Sequence, residues 1–493
     1  MNGPLRRVST VVALLFAALF ISTTLIQVVY APSINARPDN RRTLLDNYSR
    51  QRGAILVGDQ PVAVSQPTPN EEIKYLRTYG QPLPYSHVTG YFSYTYGAGG
   101  GLEGSADDLL SGSSSQLFYT RVTDLLTGNQ PVGATIQTTI NPRAQDAADK
   151  GLGNQRGAVV ALDPKTGAIL AMISHPQYDP NRLSAHDQAA VVKSWNELNA
   201  DPNQPLVNRA IGGNLYPPGS VFKIVTASAA LERQVVDPNT KIPAPAVMEL
   251  PQTTAGLPNY DRQPCGPNDE TTLQRALEIS CNTAFGYLGM QVGAQGLSDQ
   301  AAKFGFGTTL RIPTRVEPSR FPTGINQAQT AQSAIGQFDV RVTPMQVAMV
   351  SSGIANGGVV MRPYLINQVL SADLQTIDRT SPERLGTAVS AQTASTLTSM
   401  LTAVVDQGTG TPARINGVQV AGKTGTAEQG NGKPPHAWFT AFAPANDPKV
   451  AVAVVVEDGG NAGSEAAGDG SRVRSPKQSW KRFSTSEDRA NTF

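Results

Sequence analysis

Ser220 and Lys223 stand three residues apart in the segment YPPGSVFK, a spacing that places a hydroxyl and an amine one turn apart on the same face of a helix. A serine hydroxyl attacks a carbonyl only when a base removes its proton. A lysine becomes such a base when burial or a neighbouring cation pushes it toward neutrality. A serine at a helix N-terminus also feels the positive dipole end, which favours developing negative charge. The run after the serine, VFKIVTASAALERQVV, is mostly apolar with no breaker, so a buried helix is expected from about Ser220. A lysine inside it needs a partner or a role. Alone, the pair is weak evidence, because a serine and a lysine at this spacing arise by chance in a chain of 493 residues.

Two further segments could complete an acyl-transfer site. In ISCNTAF, Ser280 and Asn282 bracket Cys281; the bland alternative is that Ser280 caps the helix after it. The triplet Lys-Thr-Gly occurs twice. Lys165-Thr166-Gly167 lies in DPKTG between the apolar runs GAVVAL and GAILAMI, which is turn chemistry, so Lys165 is expected to be solvated. Lys423-Thr424-Gly425, followed by Thr426, ends the run VQVA, and a glycine inside a strand often marks close approach of backbone or ligand. The second copy therefore fits a strand that lines a site.

The elements that must hold these residues follow from pattern. VQVAGKTGTAE, AWFTAFAP and KVAVAVVVED read as three successive strands, and TTLQRALEISCNTAFGYLGMQVG as two helices meeting near Ser280. Residues 251–270 read as a long loop. Upstream, EEIKYLRTYGQPLPYSHVTGYFSYTY reads as strands, and GAGGGLEGSADDLLSGSSS as a flexible loop. Trp438 is expected in the core, with His436 beside it as a candidate wall of the cleft.

Composition excludes some functions. Net charge is +2, and no basic stripe with interleaved aromatics suggests nucleic acid. Gly 46 and Pro 36 imply many turns. The four histidines, His87, His175, His186 and His436, have no ligand spacing, so no metal or other cofactor is expected. From Val8 to Val29 the chain carries no charge, enough to span a bilayer; a cleaved signal peptide is the alternative. With Arg6 and Arg7 on one side and Arg37, Arg41 and Arg42 on the other, charge leaves topology open, and the short N-terminal tail favours the bulk lying outside. In that compartment a disulfide between Cys265 and Cys281 is allowed and is expected over two free buried thiols.

The three motifs stand in the order that marks the penicilloyl serine transferases. With the flanks NRAIGGNLYPPGSVFK, GAVVALDPKTGAILAMISHPQYDPN, TPMQVAMVSSGIANGGVVMRPYL and PPHAWFTAFAP, the chain resembles the class B penicillin-binding proteins of the actinobacterial cell-division type, from the anchor to about residue 457. The resemblance implies an α+β fold: an N-terminal transmembrane helix, an elongated pedestal domain, and a transpeptidase domain built on a central antiparallel sheet flanked by helices, with an all-α subdomain. Residues 1–30 would be tail and anchor, 31–152 the non-catalytic pedestal, 153–457 the transpeptidase domain, and 458–493 an atypical disordered tail.

The resemblance further implies a serine D,D-transpeptidase of the cell membrane, its catalytic domain outside, that crosslinks peptidoglycan stem peptides and is inhibited by β-lactams. Ser220 would be the nucleophile and Lys223 its base. Ser280, helped by Lys223 and Lys423, would pass a proton to the leaving amine. Asn282 would hold a substrate amide, and Lys423, Thr424, Gly425 and Thr426 would line the place of the terminal carboxylate. The backbone N–H groups of Ser220 and Thr426 would form the oxyanion hole. A membrane glycan polymerase of the SEDS type and division proteins would be partners. A β-lactamase or D,D-carboxypeptidase, and a non-catalytic division scaffold or β-lactam sensor, are the alternatives. The tail DGGNAGSEAAGDGSRVRSPKQSWKRFSTSEDRANTF departs from the family, which would supply an amphipathic helix. A shifted reading frame or lost end, and an uncovered apolar sheet face, are expected from it.

Overall fold

The computed structural model describes residues 2–35, 48–69, 73–117, 132–430 and 432–460. Most of the unusual tail, 461–493, lies outside the described residues, and so does the expectation of disorder there. At the N-terminus one helical stretch, Gly3–Tyr30, has mean hydropathy 2.3 and is long and apolar enough to cross a membrane.

Two sheets organise the rest. The first has six strands in the order Thr376–Arg379, Ile366–Leu370, Thr135–Thr138, Ile55–Val57, Gln60–Pro67 and Tyr75–Tyr79. Ile55–Val57 runs parallel to Thr135–Thr138, and the other pairings are antiparallel. Its last two strands in sequence, 366–370 and 376–379, come from the later half of the chain, so this sheet ties the two halves together.

The upstream region corrects two expectations. Pro82–Thr89 is a helix between the strands Tyr75–Tyr79 and Tyr91–Ser93, opened by proline in its first turn. The glycine-rich segment is not a free loop: it forms the short helices Gly101–Ser105 and Asp107–Leu110. A buried carboxylate orders it. Glu103 accepts Arg52 Nε at 2.9 Å and Arg77 Nε at 2.6 Å, and Arg52 Nη1 reaches Asp107 at 2.6 Å. The two guanidiniums hold the Glu103 carboxyl below the usual carboxylate range despite burial.

The second sheet carries the candidate site. It is antiparallel throughout, in the order Ala421–Ala427, His436–Ala443, Val450–Val456, Gly157–Leu162 and Ile169–His175. Val450–Val456 is apolar at every position because both of its faces are covered. On one face packs the helix Pro344–Ala355; the other gathers Val159, Phe439, Val452 and Val454 with Ala144, Ala148 and Leu152 of the helix Pro142–Leu152. These side chains are buried, so among the described residues the uncovered apolar face expected from the unusual tail is not found. The helices Lys223–Glu232, Asn282–Lys303 and Gln327–Ala334 pack together beside the sheet as an all-α layer.

Candidate active site

Ser220 sits in a 3-10 turn, Gly219–Phe222, that leads into the helix Lys223–Glu232, close to the expected start. The turn is pinned on several sides. Trp438 Nε1 donates to Pro217 O at 3.1 Å, Tyr216 exchanges backbone hydrogen bonds with Val342, and Gly219 N donates to Gly336 O at 2.9 Å. Gly219 has φ +55°, and a Cβ there would meet Thr426 O at 2.2 Å, so only glycine lets the serine turn lie against the Lys423 strand. Ser220 itself is half-buried and lines the cleft.

Lys223 is fully buried under this turn. Its Nζ donates to Ser280 O at 2.7 Å, Asn282 Oδ1 at 2.7 Å and Ser280 Oγ at 3.3 Å. Among the described residues no hydrogen bond joins it to Ser220. Burial, and after it the charge of Lys423, pushes Lys223 well below the ordinary lysine range. Lys423, also fully buried, reaches the same hydroxyl from the opposite wall: its Nζ donates to Ser280 Oγ at 2.9 Å and to Thr424 O at 3.0 Å.

Ser280 falls between the helices Leu273–Glu278 and Asn282–Lys303, with φ +62°. It is not the cap of the second helix. The capping position is Cys281, whose side chain makes no capping bond. The cap comes instead from a distant loop. Buried Asn259 accepts with Oδ1 from Asn282 N at 3.0 Å, Thr283 N at 3.0 Å and Thr283 Oγ1 at 3.2 Å. Its Nδ2 donates to Pro245 O and Gln263 O, both at 2.9 Å. The disulfide Cys265–Cys281 forms as expected and ties the same loop to the same turn. Asn282 also donates Nδ2 to Pro258 O at 3.1 Å, which leaves one of its two amide N–H groups for a ligand.

The second Lys-Thr-Gly lies on the strand Ala421–Ala427, where Gly425 faces Trp438 and a Cβ would sit 3.0 Å from both Trp438 Cβ and Val221 Cγ1. Thr424 Oγ1 pairs with Thr409 Oγ1 at 2.7 Å. Among the described residues, Thr426 Oγ1 is buried with no hydrogen-bond partner. The first copy is the expected exposed turn: Asp163 Oδ1 accepts from Lys165 N at 2.8 Å, and Lys165 Nζ pairs with Asp447 at 2.8 Å. Trp438 is in the core, as expected, and His436 lines the cleft. Burial pushes the His436 imidazole down, which favours its neutral form. The cleft encloses about 1670 Å³ and brings Ser220, Ser280, Asn282, Thr424, Gly425 and Thr426 to one surface. Among the described residues no group of three His, Cys, Asp or Glu could hold a metal ion. Sequence reasoning did not single out Asn259, Tyr216 or Thr409; Asn259 had one signal, its place in the loop that carries Cys265.

Residues 157–473 match the penicillin binding protein transpeptidase domain, and 52–136 the penicillin binding protein A dimerisation domain. The chain belongs to the penicillin-binding protein transpeptidase family. Among its penicillin-binding relatives, it is 46% identical over 477 residues to the peptidoglycan D,D-transpeptidase PbpA of Mycolicibacterium smegmatis, covering 95% of this chain and 96% of that one. It is 43% identical over 479 residues to PbpA of Mycobacterium tuberculosis, with the same coverage. The solved structure of penicillin-binding protein A from M. tuberculosis as a ceftriaxone acyl-enzyme complex superposes with TM-score 0.84 at 40% identity, covering 90% of this chain and 99% of that one.

Proposed function

We propose that the protein is a membrane-anchored peptidoglycan D,D-transpeptidase that works through an acyl-enzyme on Ser220 and is acylated there by β-lactams. One observation carries the assignment of roles: two buried lysines from opposite walls meet on the Ser280 hydroxyl beside Ser220. Ser220 Oγ attacks the carbonyl between the last two D-alanines of a stem peptide and gives its proton to Lys223. The carbonyl oxygen, now negative, is held by the N–H groups of Ser220 and Thr426, each donor being worth a few kcal/mol. The C–N bond then breaks, and the departing D-alanine amine takes a proton through Ser280. An amine from a neighbouring stem attacks the ester, the new amide is the crosslink, and Ser220 recovers its proton.

Substrate placement follows the walls. The free Asn282 N–H holds a donor amide. Thr426 Oγ1, buried without a partner among the described residues, and Lys423 take the terminal carboxylate, while Thr424 supports Lys423 from its bond with Thr409. The apolar Gly3–Tyr30 helix anchors the chain with the catalytic domain outside, next to a membrane glycan polymerase of the SEDS type and the septal division proteins. Residues 31–152 form the pedestal.

Incubating the protein with glycan strands that carry pentapeptide stems tests the reading. Crosslinked dimers with release of D-alanine are expected. Release of D-alanine without crosslinks would make it a carboxypeptidase, and rapid multiple turnover of penicillin a β-lactamase.

A further inference from the structure

Two large aromatic residues with exposed surface line the cleft that holds Ser220. Phe338 is 41% exposed and has φ +59°, a conformation suited to glycine. It is two residues beyond Gly336, whose backbone is packed so closely on Gly219 that an added Cβ would lie 2.1 Å from Gly219 O. The strained turn is held in place: Gly336 O accepts from Gly219 N at 2.9 Å, and Arg341 Nη1 donates to Phe338 O at 3.1 Å. Tyr260 is 64% exposed and directly follows Asn259, which clamps the start of the Asn282 helix. Both residues line the same cleft as Ser220 and Asn282. A bulky residue kept in a strained backbone state and still partly exposed on a cleft points to function.

We propose that Phe338 and Tyr260 are specificity-determining residues that grip the apolar side group of the acyl donor. This rests on the acyl-transfer reading of the site. Neither ring belongs to the Lys423–Thr426 strand, which in that reading takes the terminal carboxylate. Tyr260 adjoins the clamp on Asn282, which in that reading holds the donor amide, and Phe338 follows the turn bonded to Gly219, so both stand toward the part of the donor that precedes the scissile bond. In a stem peptide the matching group is the aliphatic chain of the residue before the D-alanine pair. In a β-lactam it is the acyl substituent on the amide.

Two penicillins with the same bicyclic nucleus, one bearing phenylacetyl and one acetyl, isolate this contact. The second-order rate of acylation is measured for both on the full chain, with Phe338→Gly and Tyr260→Ala as variants. Each variant is expected to lower the ratio of the phenylacetyl rate to the acetyl rate by roughly tenfold or more, the usual scale of an apolar side-group contact. Phe338→Gly is also expected to melt no lower than the wild type, since glycine relieves the turn. An unchanged ratio in both variants, with Ser220 still acylated, would overturn the proposal and leave the acyl-transfer reading standing. A wild type that neither penicillin acylates would overturn both.

Discussion

Lys223 and Lys423 hold one hydroxyl between them: Ser280 Oγ is 3.3 Å from the first amine and 2.9 Å from the second. Two full positive charges so placed repel each other, so one of the two amines loses its proton more readily. Lys223, lowered by burial and then by Lys423, is thereby suited to accept a proton from Ser220. Penicillin acylation is thus expected to rise with pH through the lowered Lys223 pKa and then level off. Lys423→Met removes one of the two causes, so the rising limb should move to higher pH while the plateau falls. A limb that stays where it was would argue against the coupling.

The same shift bears on stability. Between the lowered pKa and the ordinary 10.5, the unfolded chain binds a proton at Lys223 that the folded chain does not. Raising the pH through that window stabilises the fold relative to the unfolded chain. Thermal unfolding of the wild type and of Lys223→Met, compared from pH 7 to pH 10, should show the difference moving in favour of the wild type, while the variant remains unacylated throughout.

Asn259 supports the Ser280–Asn282 turn from outside the motif. Asn259→Ala strands the amides of Asn282 and Thr283 and two carbonyls, at about 1–3 kcal/mol for a stranded buried group. Slower acylation by roughly tenfold and a lower melting temperature are expected. Asn259→Asp keeps the acceptor and should restore part of the acylation rate; equal loss in both variants would reduce Asn259 to a packing residue.

Glu103 anchors the upstream region. Glu103→Ala leaves Arg52 and Arg77 buried without their shared carboxylate, a change that costs on the order of 3–5 kcal/mol. Because the folded Glu103 pKa lies below 4.5, its stabilisation is present above that pH and is lost as pH falls through the folded value. Acid unfolding followed by circular dichroism should show this loss in the wild type and a flatter profile in the variant.

Lys165 lies in the first Lys-Thr-Gly, on an exposed turn against Asp447. Lys165→Ala is expected to leave the acylation rate unchanged, where removal of the Lys423 amine lowers it.

Most of the site was legible because its chemistry is local. Ser220 and Lys223 are one turn apart, and the valine-rich strands and the Asp-Pro-Lys-Thr-Gly turn follow period and turn rules. The parts that could not be read depend on distant partners. Glu103 orders a glycine-rich segment only because Arg52 and Arg77 arrive from other elements, and glycine composition by itself suggests a loop. Pro82–Thr89 looked like strand because its alternation mimics one, yet its buried face and proline start make it a helix. Asn259 caps a helix that begins 23 residues later, beyond any local capping pattern.

Intact-mass measurement after exposure to penicillin tests the central claim most directly. The wild type should gain the full mass of one drug molecule, since ring opening releases no leaving group, with the adduct on the peptide that contains Ser220. Ser220→Ala, folded and at equal concentration, should gain nothing. An adduct that persists in Ser220→Ala, or one that maps to another residue in the wild type, would contradict the account.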